Sequence, residues 1–575
     1  MSVKSSRIAG ALVTGALLLG LVLYLRPGGG DTPEVPEARR GGQVVGSIRG
    51  EPRTFNRLVD RNQTTDLLSM LQHGRLVRVN RETFELEPWL AERWDAADEG
   101  RTYTIHLRQG VTWSDGTPFT SADVLFSLRA VYDPKVASVI AGPLTVGGQP
   151  IAASAPDANT VVLRFAAPSG PGMRLLDALV ILPRHKLEAR LADGTLAQAW
   201  DTKTPPADLV GLGPFVLREY QPGQRLVFDR NPRYWRQAAD GAALPYLDRV
   251  VLEIVPDQNA ELLRLQSGDI DVTQSELRSE DYVPARRSEQ EGRLRVIELG
   301  VGPDSDAFWF CLKPEVKKAD PRFAFVQRPE FRQAISHAVD REAFAETVYL
   351  GAAVPIWGPI TPGNSLWFSP DLPRYPHNDD RARELLRGIG IEDRNGNGTS
   401  EDARGTEARF TVITQQGIGT YERGLMVLRE ELGRIGITID VAPLEIGAMI
   451  QRMLKCDYDA IYMRPLFTDL DPAVNMDFWL SAGDAHFWNL AQRSPATEWE
   501  RRIDTIMLEQ AASVDQNRRR MLFRDVQRVV AENLPVLYFV APRLYYAHST
   551  RVNGVRPSVL RPPALWNADS LSVAN

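Results

Sequence analysis

Hydrophobic and polar positions alternate over TYTIHL (102–107). The alternation breaks at RQG, resumes over VTW and breaks again at SDG. A period of two interrupted by glycine turns predicts a β-hairpin. The period then changes. In FTSADVLFSL (119–128), Thr120 stands as an N-cap and Asp123 follows three residues later. Phe119 and Val124 are spaced as a hydrophobic staple, so a helix is predicted from Ser121. Ser114 and Asp115 then occupy a turn, and Asp123 lies where an acid complements the helix dipole. The polar residues of 111–128 thus have structural roles, although two serines and two aspartates beside a tryptophan suggest a catalytic loop at first sight.

Further on, VVLEIV (250–255) reads as a strand, DQNAELLRLQSG as a helix stopped by glycine, and DIDV as a short strand: a small βαβ unit. The clearest pattern runs from 410 to 464. FTVIT, ITIDV and YDAIYM are strands; TYERGLMVLREELGRIG, closing near Gly436, and IGAMIQRML are helices. Strands alternating with helices imply a parallel sheet. At the other end of the chain, Ile8 to Leu25 is an 18-residue run without a charge, preceded by Lys4 and Arg7. It has no A-x-A cleavage site, so it reads as an uncleaved membrane anchor rather than a signal peptide. Either reading exports the body, because the flanking cations stay in the cytoplasm. Residues 28–42 read as a flexible linker.

Composition narrows the function classes. The net charge is -6, which argues against nucleic-acid binding. The seven histidines are scattered, and the sequence has no H-E-x-x-H, C-x-x-C, P-loop or G-x-S-x-G motif. No enzyme activity and no cofactor are expected, and any energy-dependent role needs a partner. One segment, DRNGNGTSEDAR (393–404), resembles the start of a calcium loop through Asp393, Asn395 and Asn397, but Arg404 stands where a bidentate acid belongs. A plain turn is the simpler reading. Cys311 and Cys456 are the only cysteines; an exported protein can pair them, and two buried free thiols is the plainer reading.

The stretch LEPWLAERWDAADEGRTYTIHLRQGVTWSDGTPFTSADVLFSL resembles the signature region of the family 5 extracellular solute-binding proteins, the oligopeptide-, dipeptide- and nickel-binding components of ABC importers. Further landmarks follow in the family's order: GLGPFVLREYQPGQRLVFDRNPRYW (211–235), LRLQSGDIDV, the block 328–362, LREELGRIGITIDV, CDYDAIYM and ENLPVLYFVAPRLYYA (532–547). Only the anchor and linker (1–27 and 28–42) fall outside.

The resemblance implies an α/β, two-lobed periplasmic-binding-protein-like fold of type II, with an extra β-rich subdomain on the first lobe. The implied boundaries are 41–62, 205–300 and 530–575 for lobe I, 63–204 for the subdomain and 301–529 for lobe II. It implies a monomer that captures a peptide between the lobes and delivers it to ABC permease and ATPase subunits. The same fold can instead take an oligosaccharide, an opine or a metal chelate. In peptide-binding relatives an aspartate in a W-x-x-D-Y-x-x-P-like segment holds the ligand's α-ammonium. Here the segment is YDAIYMRPLFTDLDPAVNMDFWL (458–480). An ungapped alignment puts Thr468 at that position, with Asp469 one residue late and Asp471 just before Pro472. Either aspartate serves, or the ligand lacks an amine there. Trp357, Trp488 and Asn489 are the remaining candidate ligand contacts, as aromatic walls and an amide partner.

Overall fold

The computed structural model describes residues 40–465, 469–490 and 492–574. The proposed anchor, the linker up to residue 39 and Thr468 lie outside the described residues. Among the described residues, no helix is long and apolar enough to cross a membrane.

Strands Gln43–Ile48, Arg249–Ile254, Arg225–Arg230 and Phe215–Gln221 form one sheet in that order. The first pair is parallel, so Gly46 faces Leu252; the others are antiparallel. Helix Gln258–Ser267 follows, capped by Asp257, whose carboxylate accepts the Ala260 N–H at 2.8 Å, and stopped by Gly268 at φ 84°. The strand expected over DIDV shrinks to one bridged residue, Val272, which is parallel to Gly46 and antiparallel to His548. The Asp271 carboxylate accepts the Val45 N–H at 2.8 Å, where a longer ladder would place a backbone carbonyl.

The 10-residue strand Val540–Ser549 ties the two lobes together. Its first residues pair with Ala353–Pro355 and the rest with Leu294–Val301. Beyond Val301 the chain enters the second lobe at strand Ala307–Phe310. There the sheet order is Thr438–Leu444, Arg409–Gln415, Ala460–Met463, Ala307–Phe310, Leu537–Tyr538. The first three are mutually parallel, joined by helices Gly419–Arg434 and Ile446–Lys455, as the alternation in the sequence predicts. Gly436 adopts φ +83°, and a Cβ there would fall 2.1 Å from the Ser400 hydroxyl, so only glycine turns this corner.

A third sheet, Ala91–Ala97, Thr102–Leu107, Thr160–Arg164, Ala152–Asp157, is wholly antiparallel. TYTIHL is a strand with alternate residues buried, but its partners are the first and third of these, not VTW. VTW instead enters a tight turn in which Trp113 N–H donates to the Thr117 carbonyl at 2.8 Å. Helix Ser121–Tyr132 starts with the expected Thr120–Asp123 capping box, and Phe119 and Val124 are buried. This sheet shares one hydrophobic core with the first lobe, and the second lobe has its own. The extra sheet is therefore built onto the first lobe.

Cys311 and Cys456 form a disulfide with Cα atoms 5.9 Å apart, which corrects the free-thiol reading. They lie 145 residues apart, but Phe310 pairs with Ala460 across the sheet, and this brings the two strand ends together.

Glu431, on helix Gly419–Arg434, is 4% exposed. One carboxylate oxygen accepts the Asp340 N–H at 3.2 Å and the other has no hydrogen-bond partner. Burial pushes its pKa up to about 7. The folded state therefore holds a proton that the unfolded state releases, and Glu431 costs stability as pH rises through that window. Glu431→Gln should unfold at higher temperature than the parent at pH 8, by the equivalent of about 1–3 kcal/mol, with the gain vanishing at pH 5. Equal melting shifts at both pH values would refute this.

Candidate functional site

A cavity of about 430 Å³ lies where the first lobe, the extra sheet's flank, the crossing segment and the second lobe meet. Helix Gln63–Gln72 supplies Gln63 and Asp66 to its wall, and Arg61 and Asn62 precede it. Asn62 is the helix N-cap, accepting the Thr65 N–H at 3.0 Å, which fixes where the helix begins. The turn after strand Val77–Val79 supplies Arg81. Glu276, Asp304 and Arg561 approach from elsewhere on the first lobe and the crossing, and Asp469 and Leu470 come from the second lobe.

Most charges on this wall are already committed. Arg561 pairs with Glu276 at 2.5 Å and lies 3.9 Å from Asp304. Burial works against the Glu276 charge, yet the Arg561 guanidinium wins and holds its pKa down at about 2. Asp66 pairs with Arg57 at 2.7 Å. Asp469 accepts from Arg174 Nε at 2.9 Å and from the Asp471 N–H at 2.8 Å. The Arg174–Asp469 pair reaches across from the first lobe to the second. So do Gly170 N–H to the Ala511 carbonyl at 2.6 Å and Arg423 to Glu280 at 3.7 Å. Direct contacts thus link the two lobes, one of them at the cavity wall through Asp469.

Behind the second-lobe wall, fully buried Asp306 anchors a polar cluster. It accepts from Arg464 Nε at 3.0 Å, from the Tyr462 hydroxyl at 3.1 Å and from the Tyr349 hydroxyl. These bonds fix the start of strand Ala307–Phe310 directly after the crossing segment.

The residues singled out from sequence are scattered by the fold. Asp469 reaches the cavity wall. Asp471 points the other way: its carboxylate takes both Arg519 Nη groups, at 2.9 and 2.5 Å, inside the second lobe. Trp488 is 1% exposed, with Nε1 donating to Glu500 at 3.2 Å, and buried Asn489 donates to Gln492 at 2.9 Å. Both belong to the second-lobe interior because the segment that carries them folds under helix Glu498–Ala512. Trp357 stands between the Arg341 and Arg374 guanidinium groups, 5.3 and 4.9 Å from its ring centroid, away from the cavity. In the calcium-like segment both Asp393 oxygens accept backbone N–H groups, of Gly396 and Gly398, while Asn395 accepts from Asn397 N and Asn397 from Thr399 N. These are turn-forming bonds. Among the described residues, no cluster of three or more His, Cys, Asp or Glu is arranged to hold a metal. Arg61, Arg81, Arg174, Glu276 and Arg561 went unnoticed in the sequence, where no local motif marks them.

The sequence profile described as bacterial extracellular solute-binding proteins, family 5 Middle, matches residues 85–487. A probable ABC transporter-binding protein of Deinococcus radiodurans is 24% identical over 95% of this chain and 94% of its own. The oligopeptide-binding protein AppA of Bacillus subtilis is 27% identical over 79% of this chain and 80% of its own. Its structure in complex with a nonapeptide superposes with a TM-score of 0.73 at 23% identity, covering 94% of this chain and 100% of that one. The binding protein MelB of Agrobacterium fabrum in complex with stachyose gives a TM-score of 0.75 at 20% identity, over 93% and 85%. Two lobes joined by crossing strands, an added antiparallel sheet and the profile match together place this chain among the bacterial extracellular solute-binding proteins of family 5.

Proposed function

We propose that the protein captures a peptide between its lobes outside the cytoplasm and delivers it to an ABC importer. The observation that carries this reading is the cavity of about 430 Å³ walled by both lobes, a size within the usual range of about 300–1,000 Å³ for small-ligand sites. A ligand that touches both walls binds the closed form better than the open one, and this difference drives closure. Lobe I then comprises 41–62, 205–300 and 530–575, the extra subdomain 63–204 and lobe II 301–529. The run Ile8–Leu25 tethers the monomer to the membrane beside its permease and ATPase partners.

A second reading keeps the fold and replaces the peptide with an oligosaccharide, an opine or a metal chelate. The arginine already seated on Asp469 favours it, as does the stachyose complex of MelB. Isothermal titration against a library of di- to pentapeptides, with mass spectrometry of any ligand released on denaturation, separates the two. Peptide binding is expected; a sugar or chelate released from a protein that no peptide binds would establish the second reading.

A further inference from the structure

Two guanidinium groups on the cavity wall stand apart from the committed charges. Arg81 is half-buried, and the acceptors its Nη1 meets are the backbone carbonyls of Arg561 at 2.8 Å and Pro562 at 3.5 Å. Arg61 lies at the exposed rim of the same cavity. Neither forms an ion pair with a carboxylate of the described residues. Four of the carboxylates on this wall have arginine neighbours of their own: Asp66 has Arg57, Glu276 and Asp304 have Arg561, and Asp469 has Arg174. Asp177 spends one oxygen on the Val79 N–H at 3.0 Å and lends Arg81 only a partial counter-charge.

We propose that Arg81 forms an anion subsite that receives a carboxylate of the bound ligand, with Arg61 lining the same cavity, while Asp469, neutralised by Arg174, takes no ligand ammonium. The inference rests on the reading that the ligand occupies this cavity, and it narrows the ligand to an acid. Desolvation brings the Arg81 pKa down to about 10, the sign of a cation held without full compensation. Backbone carbonyls orient a guanidinium but carry no net charge to neutralise it. A carboxylate supplies that charge through a planar fork of N–H donors already held in place, so little side-chain entropy remains to be lost. The polarity of recognition follows. The cavity wall offers at Arg81 a cation countered only in part by Asp177 and, at Asp469, an anion already filled by the protein's own arginine. A ligand amine arriving at Asp469 would have to displace Arg174 and leave that guanidinium unpaired.

Isothermal titration with tri-alanine, its C-terminal amide and its N-acetyl derivative tests this on the parent, Arg81→Met and Arg81→Lys, with circular dichroism and melting to verify folding. Amidation should weaken binding to the parent about tenfold or more, while acetylation changes it less than about threefold. In Arg81→Met the acid-to-amide ratio should fall close to one, with partial discrimination kept in Arg81→Lys. Equal binding of acid and amide by the parent, a ratio unchanged in Arg81→Met, or a loss on acetylation as large as on amidation overturns the subsite and leaves peptide capture standing. If none of the three peptides binds, peptide capture is refuted for this size class, and the ligand released on denaturation decides the subsite. A released anion supports it; a neutral or cationic molecule, or no released ligand at all, overturns it.

Discussion

Asp471→Ala should destabilise the second lobe by about 3–5 kcal/mol, the usual loss when one member of a buried ion pair is removed. Arg519 is 1% exposed, and both its Nη groups are spent on this one carboxylate. Alanine would leave that guanidinium inside the lobe with the Gln510 carbonyl at 3.3 Å and the Trp367 ring face at 5.0 Å, neither able to neutralise it. The same carboxylate also accepts the Ala473 N–H at 3.0 Å, capping the short 3-10 turn Pro472–Val474. This turn carries Asp469 and Leu470 to the cavity wall, so ligand affinity should fall with stability. A melting temperature lower by roughly 10 °C is expected, at about 2–4 °C per kcal/mol for a lobe of this size. The double replacement Asp471→Leu with Arg519→Met should recover much of the loss, since an apolar pair of similar volume avoids burying a charge. A single-variant loss below about 1 kcal/mol would show that the pair is solvated and that the turn stands without it.

Removing the disulfide by Cys311→Ser with Cys456→Ser should cost about 2–5 kcal/mol, because the bridge closes a long loop in the unfolded chain. The two residues are 145 apart in sequence. Folded protein should show no reactive thiol before reduction. Unlike Asp471→Ala, the serine pair should leave ligand affinity in the native state unchanged, since neither sulfur lines the cavity. Melting curves with and without reductant read the first effect, and titration of the ligand reads the second. A parent protein that melts at the same temperature in both conditions, or that releases thiol without reductant, would contradict the bridge as a stabilising element.

These two expectations rest on contacts invisible along the chain, and that marks the division between sequence and structure here. The capping box of Thr120 and Asp123, the burial of Phe119 and Val124, and the strand–helix alternation from 410 to 464 are all legible in the sequence. Each depends on neighbours within about one helical turn or on a local period. The family landmarks were legible for the same reason, being short ordered strings. Where the partner is distant, no local pattern marks it. TYTIHL declared itself a strand but could not say that it pairs with Ala91–Ala97 and Thr160–Arg164 instead of VTW. DIDV alternates like a strand, yet the Asp271 side chain takes a backbone N–H and only Val272 is bridged.

The candidate site divides in the same way. The sequence by itself determined a two-lobed α/β solute binder of family 5, and it marked Asp469 as a candidate contact. Only the tertiary structure decided which charges are free. Arg174 fills Asp469 from 295 residues away, Arg519 withdraws Asp471 into the interior, and Glu500 draws Trp488 under its helix. The availability of an ionised group depends on its counter-charge and on desolvation, both set by segments that meet in space rather than in order. Arg81, unmarked in the text of the chain, is left by that folding with two carbonyls and a partial counter-charge from Asp177, without a direct ion pair among the described residues.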